Sequence, residues 1–269
     1  MAEVSQKLLL ATFRNLLVSG DFSDFSITCG SDVYKVHKSI VGTRSGFIAT
    51  AIKFGGKETK ENTLDLSAEE AATIKLLVQY LYEADYEPIF STFTDTTNAG
   101  NNKSPQTAPH TCSDNPRNFH CENYNEYRQV CPHHHCGRQC NYNCTEFICD
   151  KCTTIEGDVT QLLLHAKMYE MADKYDVFGL KALSKKKFQW ACLKFWDEPE
   201  FAQAAYHAYT TTPDHDMGLR NIVSSTLSNH MDLLLKEEVE GLMVEFNGLA
   251  FGILLAKAKE AGWCGRARR

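Results

Sequence analysis

Eight of the chain's 11 cysteines fall between Cys112 and Cys152, at positions 112, 121, 131, 136, 140, 144, 149 and 152, with His110, His120, His133, His134 and His135 among them. Thiolate and imidazole are the ligands that hold zinc in a tetrahedron, and short spacings gather them on one ion without a large hydrophobic core. Cys149-Asp150-Lys151-Cys152 has the two-residue gap of a metal knuckle. The steps Cys136, Cys140 and Cys144 would place three thiolates along one helical face. Cys131, Cys136, Cys140, Cys144, Cys149 and Cys152 are therefore the candidate zinc ligands, although the full spacing matches no zinc-finger class. Two other readings stay open, a disulfide set and an unliganded loop.

Catalysis is harder to find. An open zinc site needs a general acid or base, and nothing in the sequence positions Glu122, Glu126 or Glu146 for that work. A redox role for Cys149 and Cys152 would need a thioredoxin-like βαβ setting, which is absent. Neither a phosphate-cradling glycine loop nor a nucleophile elbow occurs. Cys192 and Cys264 read as packed small apolar groups. The expectation is a protein that is not an enzyme.

The bulk properties agree with a binding role. In 269 residues the chain can bury a real core, and its formal charge of -6 argues against sequence-independent nucleic-acid binding, which needs phosphate-neutralising side chains. The runs Lys185-Lys186-Lys187 and Arg266, Arg268, Arg269 are too short to reverse that. Met1 to Phe13 lacks the cationic lead and longer apolar core of a secretory signal. Leu249 to Ala256, the longest apolar run, falls well short of the roughly 20 residues that span a bilayer. The expected location is cytoplasmic, nuclear or both, with thiols kept reduced and no membrane partner.

Around the cysteine-rich stretch the sequence is regular. Ser5 to Ser19 carries Leu9, Phe13, Leu16 and Leu17 on one helical face, stopped by Gly20. Phe25 to Cys29 and Val33 to Val36 predict a hairpin around Gly30-Ser31-Asp32, and Thr63 to Leu66 a third strand. His37 to Ile52 predicts two short helices broken near Gly42. Ser67-Ala68-Glu69-Glu70 has the spacing of a capping box, ahead of a helix with Ile74, Leu77, Val78 and Leu81 inward. Pro88 to Asp158 has few aliphatic residues. Helical periodicity then resumes, with starts expected at Asp158, Asp176 and Pro199, an end at Pro213, and further helices through Leu219–Leu227 and from Val239 onward. The last of these is expected to kink at Gly248 or Gly252 and close at Gly262.

The chain resembles the BTB/POZ family, in particular its divergent fungal type. The residues that carry the likeness are Ser23-Asp24-Phe25-Ser26-Ile27, Val36-His37-Lys38, Arg44-Ser45 and Leu81-Tyr82-Glu83-Ala84-Asp85-Tyr86. After the polar stretch come His165-Ala166-Lys167-Met168-Tyr169 and Ala172-Asp173-Lys174-Tyr175-Asp176-Val177. The resemblance implies an α+β fold, a small three-stranded sheet with a helical cluster, followed by an all-α extension. In those terms residues 1–87 are the first part of the domain, 88–158 a Cys/His-rich insertion, 159–192 the closing helices and 193–269 the extension.

It also implies partners. Members associate through an N-terminal helix, which here makes a homodimer the expectation and Leu9 and Phe13 the candidate contact residues. Asp24 and Lys38 match positions lining a charged groove in transcription-factor members, so they are candidate partner-binding residues. The alternative is an internal ion pair orienting the first strand against a helix. His37 reads as a hydrogen-bonded histidine closing the strand-to-helix turn rather than as a ligand. Two further functions stay open beside plain protein–protein interaction: a substrate adaptor of a cullin-type ubiquitin ligase, and a zinc-binding regulator or sensor built on the insertion.

Overall fold

Strand β1 (Phe25–Cys29) buries alternate residues, Phe25, Ile27 and Cys29, and leaves Ser26 and Thr28 half-buried, the period-two pattern of a strand lying on a core. It is the middle strand of the sheet β2-β1-β3. Strand β2 (Asp32–Val36) pairs with it antiparallel and β3 (Thr63–Asp65) parallel. The computed structural model describes residues 2–54, 56–87, 129–131, 134–135 and 157–263. The chain divides into two compact units, residues 1–90 with 157–269, and residues 91–156.

Helix α1 (Ala2–Ser19) precedes the sheet, and Gly20 takes the left-handed conformation that ends it, φ 68°. Helices α2 (Lys38–Arg44) and α3 (Gly46–Lys53) are separated at Ser45, not at Gly42 as the sequence suggested. Gly42 stays within α2, where a Cβ would meet Ile52 and Ala49 only at ordinary van der Waals distance, so nothing at that position requires a break. Ser45 is extended, fully buried, and bridged antiparallel to Val177. A short α4 (Lys57–Glu61) leads into β3.

Helix α5 (Ala71–Glu83) buries Ile74, Leu77, Val78 and Leu81, but the expected capping box does not form. Ser67 accepts from the Gly30 amide at 3.1 Å and donates to Asp65 at 2.5 Å. Glu69 and Glu70 are drawn away to Lys174 and Lys167, both at 2.5 Å. The helix starts four residues later, at Ala71, without a side-chain cap.

Helices α6 (Gln161–Lys174) and α7 (Leu180–Phe195) return to the same core. Met168, Met171, Ala172, Tyr175, Val177 and Leu180 pack in one apolar cluster with Ile27, Ile48, Leu77 and Tyr82. Asp158 does not cap α6 directly; its carboxylate accepts from the amide of Thr160, at 2.9 Å, and from its hydroxyl. Asp176 sits in the turn with φ 45°, and α7 begins at Leu180 instead. That turn fits because residue 46 is glycine: a Cβ there would collide with the Asp176 carboxylate.

The extension is helical throughout: α8 (Pro199–Thr211), α9 (Met217–Asn229), a 3₁₀ turn (Met231–Leu235), α10 (Glu237–Glu245) and α11 (Asn247–Glu260). Pro199 occupies the first turn of α8, as expected from its fixed φ. The final break is at Phe246, where α10 and α11 diverge by 102°, rather than at either glycine. Phe246 packs on Tyr209 and Tyr206, ring centroids 5.1 and 5.7 Å away, and this anchor sets the corner. No single helix among the described residues is long and apolar enough to cross a membrane.

Candidate protein-interaction surface

Helix α1 changes character halfway along. Phe13, Leu16 and Leu17 are half-buried against the core, and Arg14 reaches Glu83 of α5 at 3.5 Å. Before them Leu8, Leu9 and Leu10 are 69%, 55% and 40% exposed. Three successive leucines are spread by about 100° each around a helix, so they cannot all serve one core. The expected pair therefore separates. Leu9 lies on the open half with Leu8 and Leu10, two residues the sequence reasoning passed over, whereas Phe13 belongs to the packed half.

Asp24 and Lys38 are adjacent, but not as the side-chain ion pair considered from sequence. Asp24 Oδ1 accepts from the backbone amide of Lys38 at 2.8 Å, satisfying a donor at the start of α2 that has no partner inside the helix. Lys38 Nζ instead donates to Asn62 Oδ1 at 2.5 Å and lies 5.8 Å from the Phe25 ring centre. His37 between them is buried. Its Nε2 is 2.7 Å from the Asp21 carbonyl and its Nδ1 2.7 Å from the Tyr82 hydroxyl, which also accepts from the His37 amide at 2.8 Å. Burial pushes the Tyr82 phenol up to about 12, so it stays a protonated hydrogen-bond partner.

A second histidine–tyrosine contact, not anticipated from sequence, lies just after α5. The Tyr86 hydroxyl is 2.9 Å from His165 Nδ1, and both side chains are buried. Lys187 Nζ donates to the Tyr86 carbonyl at 2.5 Å, pairs with Asp85 at 2.6 Å and sits 4.5 Å from the Tyr86 ring centre. Burial, with the Lys187 charge beside it, pushes the His165 imidazole down to about 3.

The extension is tied on through Asp216. It caps α9 at the Gly218 amide, 3.0 Å, accepts from the Tyr169 hydroxyl at 2.7 Å and pairs with Lys181 at 2.8 Å. Burial opposes its ionisation, but the Lys181 and Tyr169 hydrogen bonds outweigh that and hold the carboxyl below its usual range. A Cβ at residue 218 would strike the Tyr169 hydroxyl, so glycine is required for this close approach.

Aromatic groups are also exposed around α3, Phe47 and Phe178 near its start and Phe54 at its end. Phe47, Phe54 and Phe178 are 42%, 81% and 59% exposed, and the Phe178 amide donates to the Arg44 carbonyl at 3.1 Å. Phe47 also meets Tyr175 edge-on, with centroids 5.0 Å apart.

The candidate metal ligands Cys136, Cys140, Cys144, Cys149 and Cys152 lie outside the described residues. The backbone of Cys131 falls in a two-stranded ladder of β4 (Gln129–Cys131) and β5 (His134–His135), opposite His134. Among the described residues no group of three or more His, Cys, Asp or Glu could hold a metal ion.

Residues 13–99 match the model of the BTB/POZ domain family, and the chain carries that domain. No curated protein matches the chain.

Proposed function

We propose that this BTB/POZ protein is a non-enzymatic interaction module that pairs with a second copy of itself through the open half of α1. BTB/POZ domains are protein–protein interaction modules, and the observation carrying the proposal is the exposure of Leu8, Leu9 and Leu10 in a row. An apolar run of this kind gains about 25 cal/mol per Å2 when it is withdrawn from water by a second molecule. Asp24 and Lys38 stand as a second candidate contact, with Asp24 exposed before the start of β1 and Lys38 half-buried at the start of α2. The test is Leu8→Asp with Leu9→Asp, followed by sedimentation. The α1 contact should be lost with the unfolding free energy changed by less than about 0.5 kcal/mol. Unaltered assembly would refute the proposal. Phe13→Asp is a poor probe, because Phe13 packs on the core and its loss would confound association with folding.

A second reading, an adaptor for a cullin-type ubiquitin ligase, draws on the separate aromatic exposure at Phe47, Phe54 and Phe178. A third, a zinc-binding regulator, draws on the insertion's thiolates and the Cys131–His134 register. One native purification checks both: cullin retained by the wild type and lost with Phe47→Asp supports the adaptor, and bound zinc by elemental analysis supports the regulator. Protein that captures no cullin and carries no zinc leaves the interaction module alone standing.

A further inference from the structure

Helix α11 is apolar nearly all the way round, yet its own chain uses only one side of it. Leu249 and Ile253 are buried, at 0% and 4% exposure, on the side facing α9 and α10. Phe251 and Leu254 are 64% and 61% exposed and, with Ala258, follow the i, i+3, i+7 spacing of a single stripe. Val244 on α10 adds to the same corner at 74% exposure. Residues 264–269, Cys-Gly-Arg-Ala-Arg-Arg, hold no large apolar side chain to lay over the stripe.

The charges around the corner are unevenly placed. Helix α10 carries Glu237, Glu238, Glu240 and Glu245, all exposed, whereas the far end of α11 carries Lys257 and Lys259 with Glu260, which pairs with Lys257 at 2.8 Å and leaves exposed Lys259 as the cation facing outward. We propose that the α10–α11 corner is a second self-association surface, on which α11 lies antiparallel to α11 of another copy of the chain. A two-fold axis makes such a contact self-complementary. It seats Phe251 and Leu254 against the partner's stripe and brings the acidic α10 end of each copy to the basic α11 end of the other. Opposed helix dipoles favour the same arrangement. An anionic bilayer is a poorer occupant, because exposed Glu245 lies at the corner itself and α10 adds three more exposed glutamates.

This surface does not depend on α1. Together the two contacts link copies at both ends, giving species larger than a dimer.

The experiment is sedimentation at tens of micromolar of the full chain in four forms: wild type, Leu8→Asp/Leu9→Asp, Phe251→Glu/Leu254→Glu, and all four substitutions together. The proposal expects the α1 variant to remain a dimer, and the combined variant to be a monomer with its dissociation constant raised at least ten-fold. A monomer already in the α1 variant overturns it. If Phe251→Glu/Leu254→Glu is monomeric while the α1 variant matches wild type, the α1 reading fails and this one stands. Lys259→Glu supplies a variant with no apolar loss: it should weaken the contact, and mixing it with Glu245→Lys protein should restore association. Failure of that rescue overturns the antiparallel arrangement. Binding of the α1 variant to phosphatidylserine vesicles, lost with Leu254→Glu, or a strict monomer whose stripe is protected from hydrogen exchange, also overturns it by assigning the face to a membrane or to the insertion.

Discussion

The seam between the segments before residue 88 and after residue 156, which share one unit, and the outer helices α1 and α11 are built on opposite plans. At the seam, polar groups find specific partners across the two segments: Ser45 with the Tyr175 carbonyl, Tyr80 with the Phe178 carbonyl, Tyr86 with His165, Glu69 with Lys174 and the Tyr175 hydroxyl. The outer helices present leucine, phenylalanine and valine with little polar pattern beyond charge at the rim. Hydrogen bonds are directional and costly to leave unmade, so they specify which segment meets which. Apolar area is permissive, and suits a face whose partner is a separate molecule. The molecule spends its specificity on recognising its own second half, across 79 to 130 residues of sequence.

The difference can be broken at the seam first. Ser45 is fully buried; its hydroxyl donates to the Tyr175 carbonyl at 2.6 Å and accepts from the Ile48 amide at 3.1 Å. Ser45→Ala removes the cap of α3 and leaves that carbonyl without its partner, a loss of about 1–3 kcal/mol. Urea unfolding should show a lower midpoint at unchanged slope. Below the transition, sedimentation should match wild type, because neither α1 nor α11 touches Ser45. A change in assembly at native concentrations of urea would mean that the two regions are not separate.

Much of the fold was legible because it is local. Phe25, Ile27 and Cys29 alternate, Ile74, Leu77 and Leu81 recur at helical spacing, and Pro199 marks a first turn; each pattern needs only its own neighbours. What misled was local grammar overruled by distant partners. Ser67 and Glu70 have the spacing of a capping box, but Asp65 takes Ser67 and Lys167, 97 residues away, takes Glu70. Glycines 248 and 252 suggested a kink, yet a glycine only permits a bend, and Phe246 with its tyrosine contacts determines where it falls. Of the candidate surface, Leu9 was readable from helical phase. Phe13 carries the same phase, and only the packing of α1 along α5 shows that one end of the helix is covered and the other open. Of the candidate zinc ligands only Cys131 falls among the described residues, and no metal site can be built from it alone.

Acid should sharpen the same contrast by a smaller amount. His165 is buried with its imidazole pushed down to about 3, while the unfolded chain takes up that proton near the ordinary value of 6.5. Its contribution to stability is therefore complete above about pH 6.5 and is lost as pH falls through the window down to about 3. The slope cannot exceed about 1.4 kcal/mol per pH unit, so lowering pH from 6.5 to 5.5 costs about 1 kcal/mol. His207, lowered by burial against the opposing pull of Glu170, adds in the same direction. The depressed carboxyls of Glu69 and Asp216 add their losses only further down, as pH passes below the ordinary carboxylate range. His165→Gln keeps an acceptor for the Tyr86 hydroxyl and removes the titrating group, so its unfolding free energy should vary less between pH 6.5 and 5.5 than that of wild type. Helices α1 and α11 contain no histidine, so association of the folded protein should hold constant over that interval. An undiminished slope in His165→Gln would move the acid sensitivity to His207 and the joint with α8, away from the seam.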